Sequence, residues 1–308
     1  MDRFHISATG LSINYMPEYL ADKLGYFAQE GLVVTSYVPS PWTKVLTDID
    51  SGEAQAVVGG IWCPLIYKNR IKDYFAFAKV ASRCPLVMLS RAPIKVFDWT
   101  FLEKKKVLVS GGNGASPGLF VAGCAKEGGA DVSKIQLIHD FTADMLLELF
   151  KGGFGDIIVL KSDLAAQLEA EGKGYVVADL TKIGGPVPWS VYYATPEMLS
   201  NHDTLAGRFT LALQRANTWL LEHDGYECRE ILAQNWPKVD IQTSIDMVNM
   251  FRKEGMWSPN VRIGEEELNR WQGFLKQGGV IDSMIPYDKI VDSAPFNYAA
   301  RQLAVEHA

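Results

Sequence analysis

The chain has 308 residues, 48% of them hydrophobic and 21% charged, with a formal net charge of −6. At ~150 residues per domain that length fits two domains with a core each. It excludes a disordered chain, and the absence of any basic stripe argues against nucleic acid or an anionic membrane surface as partner. No apolar run reaches the ~18 residues of a membrane-spanning helix. The first residues, MDRFHISATG, lack a basic segment followed by an apolar one, so a cytoplasmic protein is expected as the sequence stands. A processed exported form, working in the periplasm, would look the same. The cysteines, Cys63, Cys84, Cys124 and Cys228, lie far apart with no C-x-x-C pair. Neither a zinc site nor a disulfide framework is expected, and no cofactor motif is present.

Strand and helix signals alternate from the start, the mark of an α/β fold. A strand is expected over 4–8 and a helix over 17–29, where Tyr19, Leu20, Leu24 and Phe27 keep helical spacing and Gly31 ends the turn. A β-branched strand over 32–38, a short helix over 43–50 and a strand over 56–58 follow, then a helical segment over 64–69 and strands over 74–80 and 85–89. The stretch 90–106, with Arg91, Pro93, Lys95 and three consecutive lysines, reads as a solvated crossing into a second lobe. That lobe repeats the alternation: strands over 107–110, 135–139, 156–160 and 175–179, and helices over 117–127, 143–151 and 162–171. Residues 184–188 (Gly-Gly-Pro-Val-Pro) read as the return crossing, followed by a strand over 190–194. Beyond 196 only helices are expected, over 196–200, 203–223, 225–235, 241–253 and 264–277. Helices alone cannot complete an α/β lobe, so they are expected on the first one. The expected division is 1–90 with 188–308, and 91–187.

This order of elements resembles the type II periplasmic-binding-protein fold, specifically the SsuA/THI5-like (NMT1/THI5) group. The resemblance covers nearly the whole chain. It is most specific at Tyr15, Pro17, the run from Ala21 to Phe27 (ADKLGYF) and Glu30-Gly31-Leu32, with further matches in 46–60 and in the tail, at Trp257-Ser258-Pro259, Leu268 to Trp271, and Pro286 to Asp292. It implies two mixed β-sheets flanked by helices, a two-segment hinge near 90 and 187, and a small ligand bound in an interlobe cleft. Most members of the group are solute receptors for ABC-type importers of sulfonates, nitrate-like anions, pyrimidines and aromatic acids, which implies a permease as partner. A minority are enzymes: a thiamin-pyrimidine synthase, an aromatic desulfinase and, more distantly, dihydroxyphthalate decarboxylases.

In open α/β sheets ligands bind beyond the carboxyl ends of the strands, so the strand-to-helix loops nominate the site. In the first lobe these carry Ser12, Tyr15, Ser40, Trp42, Gly60 and Trp62; in the second, Ser110, Asn113, Gly114, Ala115, Ser116, Thr142 and Lys161. The small-residue loop 111–116 lets backbone approach a ligand, and the helix after it offers free N–H groups to a carboxylate, sulfonate or phosphate. Its spacing matches neither a P-loop nor a dinucleotide fingerprint; the bland alternative is a tight turn. Trp42, Trp62 and Trp189 offer flat apolar area with one donor each, pointing to an aromatic or heterocyclic anion, although each could serve as half-buried packing. Tyr15 and Tyr192 could add phenolic donors. Lys161 could pair with the anion or be an ordinary helix-start lysine.

An enzyme, a lyase or hydrolase on a small aromatic or heterocyclic acid, would need Cys63 or His139. Cys63 is expected to open a helix, where a thiolate is stabilised, and lies close to where the resembling pyrimidine synthase carries a reactive histidine. That enzyme's cysteine-rich motif is absent, and Ser12 stands where the desulfinase places its nucleophile. His139 could act as a general acid or base, but a hydrogen-bonded strand-end histidine is the plainer reading.

Overall fold

The β-branched and alternating runs form ten strands in a computed structural model that describes residues 1–110, 116–201 and 203–306. They are β1 (Asp2–Ala8), β2 (Leu32–Tyr37), β3 (Ala56–Gly59), β4 (Phe75–Ala81), β5 (Leu86–Ser90), β6 (Lys106–Val109), β7 (Gln136–Ile138), β8 (Ile157–Lys161), β9 (Tyr175–Asp179) and β10 (Ser190–Ala194). Two mixed five-stranded sheets result, ordered β2-β1-β3-β10-β4 and β7-β6-β8-β5-β9. The first three strands of each order pair in parallel, and the fourth, β10 or β5, runs antiparallel to both its neighbours. This is the type II periplasmic-binding-protein arrangement. No helix among the described residues is long and apolar enough to cross a membrane.

The chain divides into two units. One comprises residues 1–82, 187–268 and 285–308; the other comprises 83–186 and 269–284. The return crossing falls between Pro186 and Val187, within a residue of the expected bound, whereas the first falls at 82/83 rather than 90. β5 pairs with β8 and β9, so the second unit begins at Arg83 and the lysine-rich stretch lies inside it. Residues 269–284 also join it, for a packing reason. Phe274 and Trp271 each stand 5.9 Å from the Phe120 ring, and a Cβ added at Gly123 would fall 2.2 Å from Phe274. Arg270 donates to Glu127 and to the carbonyls of Gly184 and Pro186. Helical periodicity places 264–277 in one helix, observed as Glu265–Gln277, but it does not say that the two ends of that helix serve different cores.

In the first unit β1 alternates as a strand with two different faces should. Phe4, Ile6 and Ala8 enter an apolar core with Met16, Leu20 and Phe27. Phe209, from the helix Asp203–Glu222, is its hub, stacked 4.4 Å from Phe4 and meeting Tyr192 edge-on at 4.8 Å. Gly25, at φ +74°, splits the expected helix over 17–29 into Met16–Lys23 and Tyr26–Gln29. The chain ends in a helix the sequence pattern does not reveal, Ala294–Glu306, whose Tyr298 packs so closely on Gly207 that a Cβ there would lie 2.7 Å away. The second unit gathers Val87, Leu89, Leu108, Phe150, Ile158, Leu160 and Leu168 on one face of its sheet.

Candidate functional site

In the first unit three parallel strands, β1, β2 and β3, present their carboxyl ends side by side. The loop after β1 is pinned from both ends. Thr9 donates its backbone N–H to the Val58 carbonyl at 3.0 Å, and Trp257 donates its indole N–H to the Asn14 carbonyl at 3.0 Å. Ser12, half-buried, donates to the Asn14 side chain. Thr9 also explains Gly59: a Cβ there would meet Thr9 Cγ2 at 2.7 Å. Tyr15 is buried, its phenol pushed up by burial and hydrogen-bonded with Ser190 and Thr9, so it braces the loop from below. Tyr192 is likewise no free donor, since its hydroxyl is committed to Glu18.

Beyond β2 and β3 the structure brings two of the expected aromatic residues together. Trp42 and Trp62, both half-buried, meet edge to face with centroids 6.4 Å apart and planes at 74°. Ser40 is exposed on the same loop as Trp42, and Gly60, half-buried, precedes Trp62 by two residues. Trp189, just before β10, is half-buried against the apolar core of this unit.

Cys63 departs from expectation. It does sit at the second residue of a helix, Trp62–Tyr67, but its side chain turns inward and is only 6% exposed. Burial pushes the thiol up to about 11, with a hydrogen bond to Tyr193 only partly opposing. A buried thiol on a tyrosine is a poor nucleophile, since the thiolate is the reactive species. The other three cysteines are buried as well. We expect all four to react with iodoacetamide at pH 8 at least a hundredfold more slowly in the native protein than in urea. Rapid alkylation of one native cysteine, mapped to Cys63, would restore it as a candidate.

The second unit sets out its residues along the carboxyl ends of β6, β7 and β8. Ser110 follows β6 and is half-buried. Asn113, Gly114 and Ala115 lie outside the described residues. Ser116 is buried at the first position of the helix Ser116–Glu127. His139 and Asp140 follow β7, both exposed, and Lys161 is exposed at the end of β8. Thr142 is a helix cap, since its hydroxyl accepts from the Met145 N–H at 3.4 Å at the start of the helix Ala143–Lys151.

Sequence reasoning passes over Thr9, Asn14 and Asp48. Asp48 looks like an ordinary acid in a short surface helix, yet it is buried and accepts hydrogen bonds from Ser7, at 2.7 Å, and from Tyr37. Only the register of β1 beside β2 sets both donors over it.

Comparison with known proteins finds relatives in sequence and in fold. The model of the family described as NMT1/THI5 like matches residues 12–225. The Bacillus subtilis (strain 168) protein YtlA, named as a candidate binding protein, is 27% identical over 289 residues, covering 91% of this chain and 85% of YtlA. The periplasmic aliphatic sulphonate binding protein SsuA from Escherichia coli superposes with a TM-score of 0.71 at 13% identity, over 95% of this chain and 92% of that one. The desulfurization enzyme DSZB superposes with a TM-score of 0.65 at 15% identity, over 98% and 100%.

Proposed function

Because this chain belongs to the NMT1/THI5-like family, we propose that it is a solute-binding protein that takes a small aromatic or heterocyclic anion on its strand-end loops and delivers it to an ABC-type permease outside the cytoplasm. The observation that carries the proposal is the Trp42–Trp62 pair. Two half-buried indoles in edge-to-face contact, with planes at 74°, form an aromatic surface suited to a flat organic ring and of little use to a bare inorganic ion. On the second unit, taken by itself, the strand ends favour an anion. There Lys161 is exposed at a strand end and Ser116 opens a twelve-residue helix, whose first N–H groups and positive dipole end favour negative charge. The names of the relatives support binding, and for one of them an anion of the aliphatic sulphonate kind. The Escherichia coli neighbour is named for sulphonates, and YtlA for binding.

The test is a calorimetric or tryptophan-fluorescence titration against a panel of aromatic sulfonates and carboxylates. Trp42→Ala and Trp62→Ala are each expected to weaken the best ligand about tenfold to a hundredfold. Lys161→Met should weaken an anion about tenfold while leaving its neutral amide analogue unchanged. Wild-type affinity retained in both tryptophan variants would overturn the assignment. The enzyme alternative now rests on His139, because Cys63 is buried. Chemical turnover of a bound acid by wild type, abolished in His139→Ala, would replace the receptor reading.

A further inference from the structure

The first unit holds a cavity of about 300 Å³ that lies apart from the tryptophan pair, under the helix Met16–Lys23 and against β2 and the helix Arg229–Asn235. Its wall is unusual in one respect. Glu18 lines it, although that side chain is only 4% exposed. Glu18 lies in the first turn of its helix, on the face turned toward the sheet, where it is buried beside Met16, Leu20 and Ala21. Its Oε2 accepts from the Tyr192 hydroxyl at 2.5 Å, and Ser36 supplies a second hydrogen bond. The charged neighbour that acts on it is another acid, Asp22. Lys23, on the rim, is committed to Glu230 at 2.7 Å. The rest of the lining brings hydrogen-bonding groups, Gln234 and Asn235, and the flat face of Tyr19.

A buried carboxyl with no cation beside it either keeps its proton or gains a cation that supplies the missing charge. Here the space beside the carboxylate is open and of a size at the small end of ligand pockets. We propose that this pocket is a second binding site, for a small organic cation, a protonated amine or amidinium, held on the Glu18 carboxylate with Tyr192 fixing the carboxylate's orientation. An amidinium offers two parallel N–H donors to one carboxylate and a planar body for the tyrosine-lined wall. The inference does not depend on the anion site proposed above, which uses other residues.

The probe is benzamidine, with benzoate as the control of equal shape and opposite charge, titrated by calorimetry into the whole protein. Wild type is expected to bind one benzamidine, and Glu18→Gln to bind it at least tenfold more weakly. Burial raises Glu18 to about 7; the other titratable groups acting on it are Tyr192, which donates a hydrogen bond, and Asp22. Wild-type affinity for benzamidine should therefore rise about tenfold between pH 6 and pH 8, following the ionised fraction of that group. Any benzoate binding should be equal in wild type and Glu18→Gln. A thermal melt of the same Glu18→Gln sample shows whether it is folded; Tyr192→Phe, which leaves the carboxylate in place, should lose affinity less than Glu18→Gln does. No saturable benzamidine binding by wild type, or equal binding by Glu18→Gln, overturns the proposal.

Discussion

Glu18→Gln is expected to make the protein more stable at pH 8, by up to about 3 kcal/mol, and to change little at pH 4.5. The reason is linkage. The Glu18 carboxyl titrates near 4.5 in an unfolded chain and about 7 in the folded protein, because burial disfavours its charged form. Between those values the native state holds a proton that the unfolded state has released. The stability contributed by the neutral carboxyl is thus fully present below pH 4.5 and is lost as pH rises through 7. About 2.5 pH units at ~1.4 kcal/mol per unit gives the figure of ~3 kcal/mol as a ceiling. Glutamine keeps the shape and an acceptor for the Tyr192 hydroxyl, but its amide N–H₂ needs a partner, so the observed gain falls below that ceiling. Melting curves of both proteins at pH 8 and pH 4.5 check this. A melting-temperature difference that is the same at both pH values would show that Glu18 is not the titrating group. A saturating cation in the pocket would oppose the effect by stabilising the native carboxylate.

The second large effect is expected at Glu267→Ala, a loss of about 3–5 kcal/mol. Lys79 lies on β4 with only 6% of its surface exposed, and its ammonium meets Glu267, in the first turn of the helix Glu265–Gln277. The same carboxylate accepts the Gly264 N–H at 2.6 Å. Burial pulls Lys79 below its ordinary value, and Glu267 pulls the other way, so the pair survives by mutual compensation. Removing the acid leaves a buried ammonium and an uncapped helix start. Replacing both partners by apolar residues, Lys79→Met with Glu267→Leu, should cost far less than the single change. Urea unfolding of the three variants at pH 7 tests this. A cost under about 1 kcal/mol for Glu267→Ala would mean that the ammonium reaches water.

These two sites show where reading residues in order stops. Glu18 follows Pro17 at a helix start, and an acid in a first turn is locally favourable and ordinarily solvated. Nothing nearby announces that Tyr192, 174 positions on, covers it. Lys79 and Glu267 are 188 positions apart. The sequence places Cys63 near a helix start, but the direction of its side chain depends on β10, which carries Tyr193. The rule that loops follow strand ends locates Trp42 and Trp62; it does not foresee their mutual contact.

What the sequence determined alone is the alternation of strands and helices, the break at Gly31, at positive φ, and the strand-end loops that carry the candidate site. Period, backbone freedom and turn chemistry are local properties, and a few neighbouring residues suffice to specify them. The tertiary structure decided which face each element buries against what: that β5 and residues 269–284 serve the second unit, that Cys63 and Tyr15 turn inward, and that a carboxylate faces a cavity. Burial and electrostatics depend on groups brought together from distant parts of the chain, and a one-dimensional pattern does not contain those distances.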